Sequence, residues 1–307
     1  MDIRDKLKII QSASGLTQTG MAAKLGVSFV ALNNWWTGKA KPRKKHAEAI
    51  DAMYREYTGQ KIIPKTVLAA KKELIGKESH QHKNIFNVIA KNPDIRDQFM
   101  LALTYNSNKI EGSTLSEDET FDIMFNNKVL PDKSLIEQLE VKNHQTALKY
   151  LFANFDEKKK IDETLVLKLH GILMNGIRDD AGFYRRHGVR IVGSNVPTAN
   201  HLKVTKLMDK LFPDINKKSR DIIEHVSNIH ARFEQIHPFS DGNGRIGRLI
   251  LSAMLLRENT APAVIKQENK KLYYAHLRAA QLKDDFTQLE DFLCDAVMFG
   301  FDIVSRK

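Results

Sequence analysis

His237-Pro238-Phe239-Ser240-Asp241-Gly242-Asn243-Gly244-Arg245-Ile246-Gly247-Arg248 gathers a histidine, an acid, three glycines and two arginines into one short run. Upstream of it, Ile222, Val226, Ile229, Phe233 and Ile236 recur at helical spacing. Downstream, Leu249, Ile250, Met254 and Leu255 lie in an almost wholly apolar segment, which predicts a buried helix. The run is therefore a loop between two helices that ends at a helix N-terminus. Gly242-Asn243-Gly244 lets consecutive backbone N–H groups converge, and the helix dipole adds positive potential, which makes an anion nest. Two arginines in the first turn destabilise an isolated helix, and their placement makes sense beside a polyphosphate. Asp241 is a hard oxygen ligand suited to the Mg²⁺ that accompanies nucleotide phosphates. His237, with an unperturbed pKa of about 6.5, suits a general base at neutral pH.

Two other nucleotide motifs are excluded. Gly242, Gly244 and Gly247 match the dinucleotide fingerprint letter for letter, but a helix precedes them and no βαβ pattern surrounds them. No Gly-x-x-x-x-Gly-Lys-Ser/Thr occurs, which removes the P-loop nucleotidases.

The whole chain has 307 residues, 48 Lys+Arg against 37 Asp+Glu, a net charge of +11 and 42% hydrophobic residues. That composition excludes wholesale disorder, and the length suggests two domains. A single cysteine, Cys294, excludes a disulfide-stapled fold and cysteine-based zinc modules. No apolar run approaches the length of a spanning helix, and Met1-Asp2-Ile3-Arg4-Asp5-Lys6 does not open a signal peptide. The expectation is a cytoplasmic protein with no membrane partner.

With few prolines and long stretches of helical period, the chain reads as mainly α. Thr58-Gly59-Gln60, Pro64 and the polar run Lys77–Lys83 mark residues 58–84 as a linker. Within it, His80 and His82 lack convergent ligands and read as solvated rather than metal-binding. Val189, Ile191 and Val192 between Gly188 and Gly193 predict a short β-hairpin within Tyr184–Pro197.

Residues 1–60 hold ten Lys/Arg and five Asp/Glu, a basic end that suits a polyanion. Met21, Leu25, Val27, Leu32 and Trp35 are apolar where two short helices pack across a tight turn, Ala22 is small at the crossing, and Gly26 sits at the turn. Ser28 is a good N-cap for the second helix. The pattern resembles the helix-turn-helix of the Cro/phage-repressor family. That resemblance implies that Ser28, Phe29, Val30, Asn33 and Asn34 face the major groove, while Gln18 and the 39–45 cluster hold phosphates. A helical packing or dimerisation module that never touches DNA is the alternative.

The run at 237–248 is similar, at every fixed position, to the signature of the Fic family. The similarity extends from about residue 85 to the end: Glu140-Val141-x-Asn143-x-x-x-Ala147 resembles an early helix of that domain, and Gly182-Phe183-Tyr184-Arg185 leads into a hairpin like the family's target-binding flap. This resemblance implies an all-α Fic domain at 85–307 with an inserted flap, behind a helix-turn-helix at 1–57. It implies transfer of AMP from ATP to a Tyr, Thr or Ser hydroxyl of a protein, which can be the chain itself. His237 would be the catalytic base, and Asp241 would hold Mg²⁺. Gly242, Asn243, Gly244, Arg245, Gly247, Arg248, Tyr273 and Gln281 would be nucleotide-binding, with Gln281 standing where Asn is expected. Val192, Gly193, Ser194 and Asn195 would line the target. Gly244 stands where the phosphorylating Doc branch carries Lys.

Ser107-Asn108-Lys109-Ile110-Glu111-Gly112 matches the family's inhibitory pattern, in which Glu111 would pair with Arg248 and take the γ-phosphate space. Two further functions stay open: removal of AMP with Glu111 orienting a water, and a transcription regulator whose Fic domain senses nucleotide. The target protein, the operator sequence and the oligomeric state, a homodimer included, are not legible here.

Overall fold

The computed structural model describes residues 3–58, 63–191 and 195–306. It divides into two compact units, Met1–Ile63 and Pro64–Lys307.

In the first unit, four helices enclose a small core: α1 (Ile3–Ser14), α2 (Gln18–Lys24), α3 (Phe29–Thr37) and α4 (Lys44–Thr58). Leu7, Ile10, Met21, Ala22, Leu32, Trp35, Ile50, Met53 and Tyr54 are buried together. Thr17 caps α2 through Gly20 N–H and Ser28 caps α3 through Ala31 N–H, so each short helix has a side-chain start signal. The turn between them passes through Gly26 at φ +66°, where a side chain would be strained.

The second unit contains α5 (Lys65–Gln81), α6 (Ile85–Lys91), α7 (Pro93–Glu111), α8 (Glu117–Phe125), α9 (Leu135–Ala153), α10 (Glu163–Leu173), α11 (Val204–Ile215), α12 (Ile222–Ile236), α13 (Asn243–Arg257), α14 (Lys270–Lys283) and α15 (Thr287–Val304). Its centre is α13, buried almost residue for residue from Asn243 to Leu256 and flanked by α7, α10 and α12. A helix apolar on every face must be enclosed on every face, and that fixes its N-terminus at the meeting point of its neighbours.

Two expectations need correction. Most of the segment read as a linker, 58–84, is helix: α5 packs on α15, with Ile75 1% exposed. Lys71 pairs with Asp291 and Asp295 at 2.6 Å each, and Lys72 pairs with Asp221 at 2.5 Å and Glu290 at 2.6 Å. The polar run Lys77–Lys83 that suggested a linker is mostly the end of this docked helix, where Ser79 O and His82 O accept from Asn259 Nδ2 at 2.9 and 2.8 Å. The predicted hairpin at 184–197 forms no strand among the described residues. The buried Arg185 guanidinium takes backbone acceptors on both sides, His187 O at 2.7 Å and Ala199 O at 2.5 Å. Thr198 Oγ1 donates to Val189 O at 2.7 Å. Side chains, not a backbone ladder, join the two arms.

Candidate functional site

α12 ends at His237, which adopts the left-handed conformation (φ 51°, ψ 61°) while its N–H still bonds Phe233 O at 2.9 Å. This turns the imidazole back over the helix end, with Nδ1 3.1 Å from Glu234 O. A carbonyl only accepts, so Nδ1 carries the proton and Nε2 is the basic nitrogen. Burial depresses the His237 pKa, favouring that neutral form. Arg185 fixes the turn from below: its Nε donates to His237 O at 2.7 Å, and its N–H bonds Pro238 O at 3.0 Å.

The following residues are clamped by groups that make no chemistry themselves. Asn243 closes a two-bond ring with Phe239, accepting from its N–H and donating to its O at 2.8 Å each. The Asn243 side chain was expected to help hold phosphate oxygens. It is turned into the loop and buried here, so the backbone N–H is the group placed for that task. Phe239 stacks on His170 of α10, ring centres 3.7 Å apart and planes within 8°. His170 Nδ1 accepts Gly182 N–H at 2.9 Å, so its Nε2–H donates to Asp241 O at 3.1 Å. Burial holds His170 neutral, its pKa lowered to about 4. At Gly242 (φ +77°) a side chain would be strained, and its Cβ would press on Met174 Sδ at 3.0 Å. Gly242 starts α13 without a side-chain cap, which leaves the first N–H groups of the helix directed at whatever sits above them.

The two arginines have different surroundings. Arg245, 2% exposed, donates to Glu140 of α9 at 2.6 Å and lies 3.5 Å from Asp241. The guanidinium is held within the fold, bonded to Glu140, beside Asp241 and with Nη2 3.9 Å from Met174 Sδ. The Asp241 carboxylate is 52% exposed, with Oδ1 accepting Gly242 N–H at 2.5 Å. Arg248 is held by Ser107, Nε to Oγ at 2.9 Å and Nη2 to the backbone O at 3.1 Å. Its Nη2 also pairs at 2.5 Å with Glu111, whose side chain is 30% exposed. Glu111 is the last residue of α7, and Gly112 follows as the left-handed cap (φ 116°). A Cβ on Gly244 would collide with Glu111 Oε1. The carboxylate therefore lies against Gly244 and on Arg248, beside the first turn of α13.

Tyr273 also departs from expectation. It is 0% exposed, its hydroxyl 2.6 Å from His230 Nε2, so it supports the site from inside. The next residue, Tyr274, is half-buried, and its phenol responds to both Glu111 and Arg248. Gln281 donates to Ala231 O at 3.0 Å. Glu140, His170, Arg185 and Tyr274 were not singled out as site residues; only the Glu140 helix and the Arg185 segment carried a signal, through their resemblance. Among the described residues no group of three or more His, Cys, Asp or Glu converges as a metal site. Of the flap residues, Val192, Gly193 and Ser194 lie outside the described residues, and Asn195 is exposed. In the first unit, Phe29 and Val30 are 47% and 67% exposed on α3, with Ser28 at its cap, Asn33 and Asn34 half-buried, and Gln18 opening α2.

Residues 160–255 match the family model described as Fic/DOC family. A protein adenylyltransferase fic-1 from Caenorhabditis briggsae is 32% identical over 195 residues, covering 62% of this chain and 38% of the relative. A protein adenylyltransferase Fic from Nematostella vectensis is 29% identical over 235 residues, covering 73% and 54%. The chain thus spans about half or less of the length of these relatives. Among solved structures, Fic-1 from C. elegans superimposes with a TM-score of 0.68 at 21% identity, over 96% of this chain and 85% of that one. A Fic family protein from Desulfovibrio desulfuricans gives 0.64 at 26%, over 81% and 77%.

Proposed function

Since this chain carries a Fic domain, we propose that it transfers AMP from ATP to a hydroxyl group of a protein, and that Glu111 keeps it inhibited until displaced. The observation that carries the transfer is the pairing of a basic His237 Nε2 with the uncapped N-terminus of α13. His237 Nε2 takes the hydroxyl proton as the new oxygen–phosphorus bond forms at the α-phosphate and pyrophosphate leaves. The backbone N–H groups of Asn243 and Gly244 receive the charge on the phosphoryl oxygens, and Arg248 the terminal phosphate. Arg245 and His170 position Asp241 and its backbone.

A lone, half-exposed carboxylate fits Mg²⁺, which is commonly bound by one or two carboxylates together with substrate phosphates. Asp241 would hold it, and the ion would neutralise charge on those phosphates. The inhibition rests on Glu111, which must leave Arg248 and Gly244 before phosphates can enter.

The first unit is a DNA-binding module in this reading. A capped α3 presents an exposed face, and Lys39, Lys41, Arg43, Lys44 and Lys45 follow it.

Incubation with labelled ATP and a host lysate tests the assignment. His237→Ala should lower label transfer by about 10²–10⁴-fold while ATP still binds. Unchanged transfer would remove His237 from the chemistry. Wild-type protein that strips AMP from a labelled target, and loses this in Glu111→Gln, would make removal the activity.

A further inference from the structure

Behind the ion pair of Arg248 and Glu111 lies a second acid. Glu234 of α12 is 8% exposed, and its Oε1 is buried with no hydrogen-bond partner among the described residues. The same holds for Arg248 Nη1. A Cβ on Gly247 would stand 2.5 Å from Glu234 Oε1, so the acid is packed against the turn of α13 that carries Arg248. Yet within 4.0 Å Arg248 pairs only with Glu111 among the described residues. A guanidinium buried near two acids, and bonded to the more exposed one, is an unusual economy of charge.

We propose that Glu234 is the positioning residue that sets how much charge Arg248 can offer: as a neutral acid it leaves the guanidinium free for an exchangeable anion, and as a carboxylate it neutralises it from inside. This inference rests on the proposed nucleotide site, and it names the regulation of that site. The exchangeable anion is Glu111 in the closed form and an ATP phosphate in the open form.

The groups facing Glu234 come from every element around it: His230 on its own helix, Arg248 from α13, Glu111 from α7, Tyr273 and Tyr274 from α14. Burial holds His230 neutral, its pKa lowered to about 3, and raises both tyrosines. For Glu234 burial dominates: it is raised to about 8, with Glu111 adding to the rise and Arg248 opposing it. At neutral pH the acid is protonated. A bound phosphate, being an anion, favours that protonated form further, so above the Glu234 pKa binding takes up a proton and weakens as pH rises.

ATP binding measured by calorimetry from pH 7.5 to 9.5 tests this in the Glu111→Gln protein, whose nest is open. The dissociation constant should rise by up to about tenfold per pH unit above the Glu234 pKa, which in this protein lies below its wild-type value because Glu111 no longer raises it. With Glu234→Gln added, which keeps the shape and removes the titration, the profile should be flat. Infrared spectra give a second reading, independent of ATP. The carbonyl stretch of a protonated carboxyl should be present in wild type at pH 7 and missing in Glu234→Gln. An equal pH slope with and without Glu234→Gln, or a wild-type spectrum lacking that band, overturns the inference while leaving the nucleotide site standing. A Glu111→Gln protein that binds no ATP at any pH contradicts the nucleotide site itself, and this inference with it.

Discussion

On α3 of the first unit, Phe29 and Val30 stand 47% and 67% exposed, whereas between His237 and Arg248 of the second unit Phe239, Asn243 and Arg245 are nearly excluded from solvent. The first surface has its local structure finished by Ser28 and the core beneath, and its outer side chains are free to meet a partner. The second has each reactive group aimed by another: Arg185 under His237, Arg245 beside Asp241, Ser107 behind Arg248. Substitutions of Phe29 and Val30 should therefore alter recognition at little cost in stability. Substitutions around the loop should disturb stability and chemistry together.

The largest effect is expected at Arg245. Removing it strands Glu140 and loosens Asp241, and breaking a buried pair costs about 3–5 kcal/mol. Urea unfolding of Arg245→Ala should show a loss of that order. Arg248→Ala, whose partner Glu111 is partly solvated, should lose less stability and mainly ATP affinity. Equal losses at the two arginines would erase the distinction between an aiming and a binding guanidinium.

A smaller effect should follow acidification. His144, His170 and His230 are held neutral by burial, their pKa values lowered to about 3, 4 and 3. Once unfolded they protonate at about pH 6.5, so below that pH the unfolded chain binds more protons and stability falls as pH falls toward 4. The slope should be up to about 1.4 kcal/mol per histidine per pH unit, less one such contribution from Glu234, which is protonated in the folded chain and opposes it. Unfolding at pH 7 and pH 5.5 reads it, and hydrogen exchange should localise the loss to the second unit. A pH-independent second unit would mean these rings are accessible to protons in the folded state.

The smallest effect belongs to the first unit. With duplex DNA and the full chain, Lys44→Ala should reduce the salt dependence of binding by about 0.9 in the log–log slope if it contacts one phosphate. The second unit's unfolding should not change. Binding insensitive to salt would leave α3 as a protein-contacting helix.

The loop from His237 to Arg248 is legible in sequence because a histidine, an acid, glycines and arginines in that order have few uses besides holding an anion at a helix start. What separates Arg245 from Arg248 is not legible: both lie on one face of α13, and only Glu140 and Glu111, from distant helices, assign them different tasks. Tyr273 and Tyr274 fail for a related reason. Neighbouring positions on a helix point about 100° apart, and packing against His230 decides which is buried. Helix α5 was hidden by its polar end, Lys77–Lys83, whose backbone partner Asn259 lies far along the chain. Local pattern carries the site; long-range partners decide what each residue does in it.

The central claim is that the Glu111 carboxylate closes the site by holding Arg248 and lying against Gly244. AMP transfer from labelled ATP, measured side by side for wild type, Glu111→Gln and Glu111→Gln with Arg248→Ala, addresses it directly. A charge-assisted hydrogen bond contributes about 1.5–3 kcal/mol, so removing the charge should raise transfer roughly tenfold or more. The double variant should lose most of that gain, because the released arginine is what the phosphate needs. Transfer by Glu111→Gln at the wild-type level would contradict the claim.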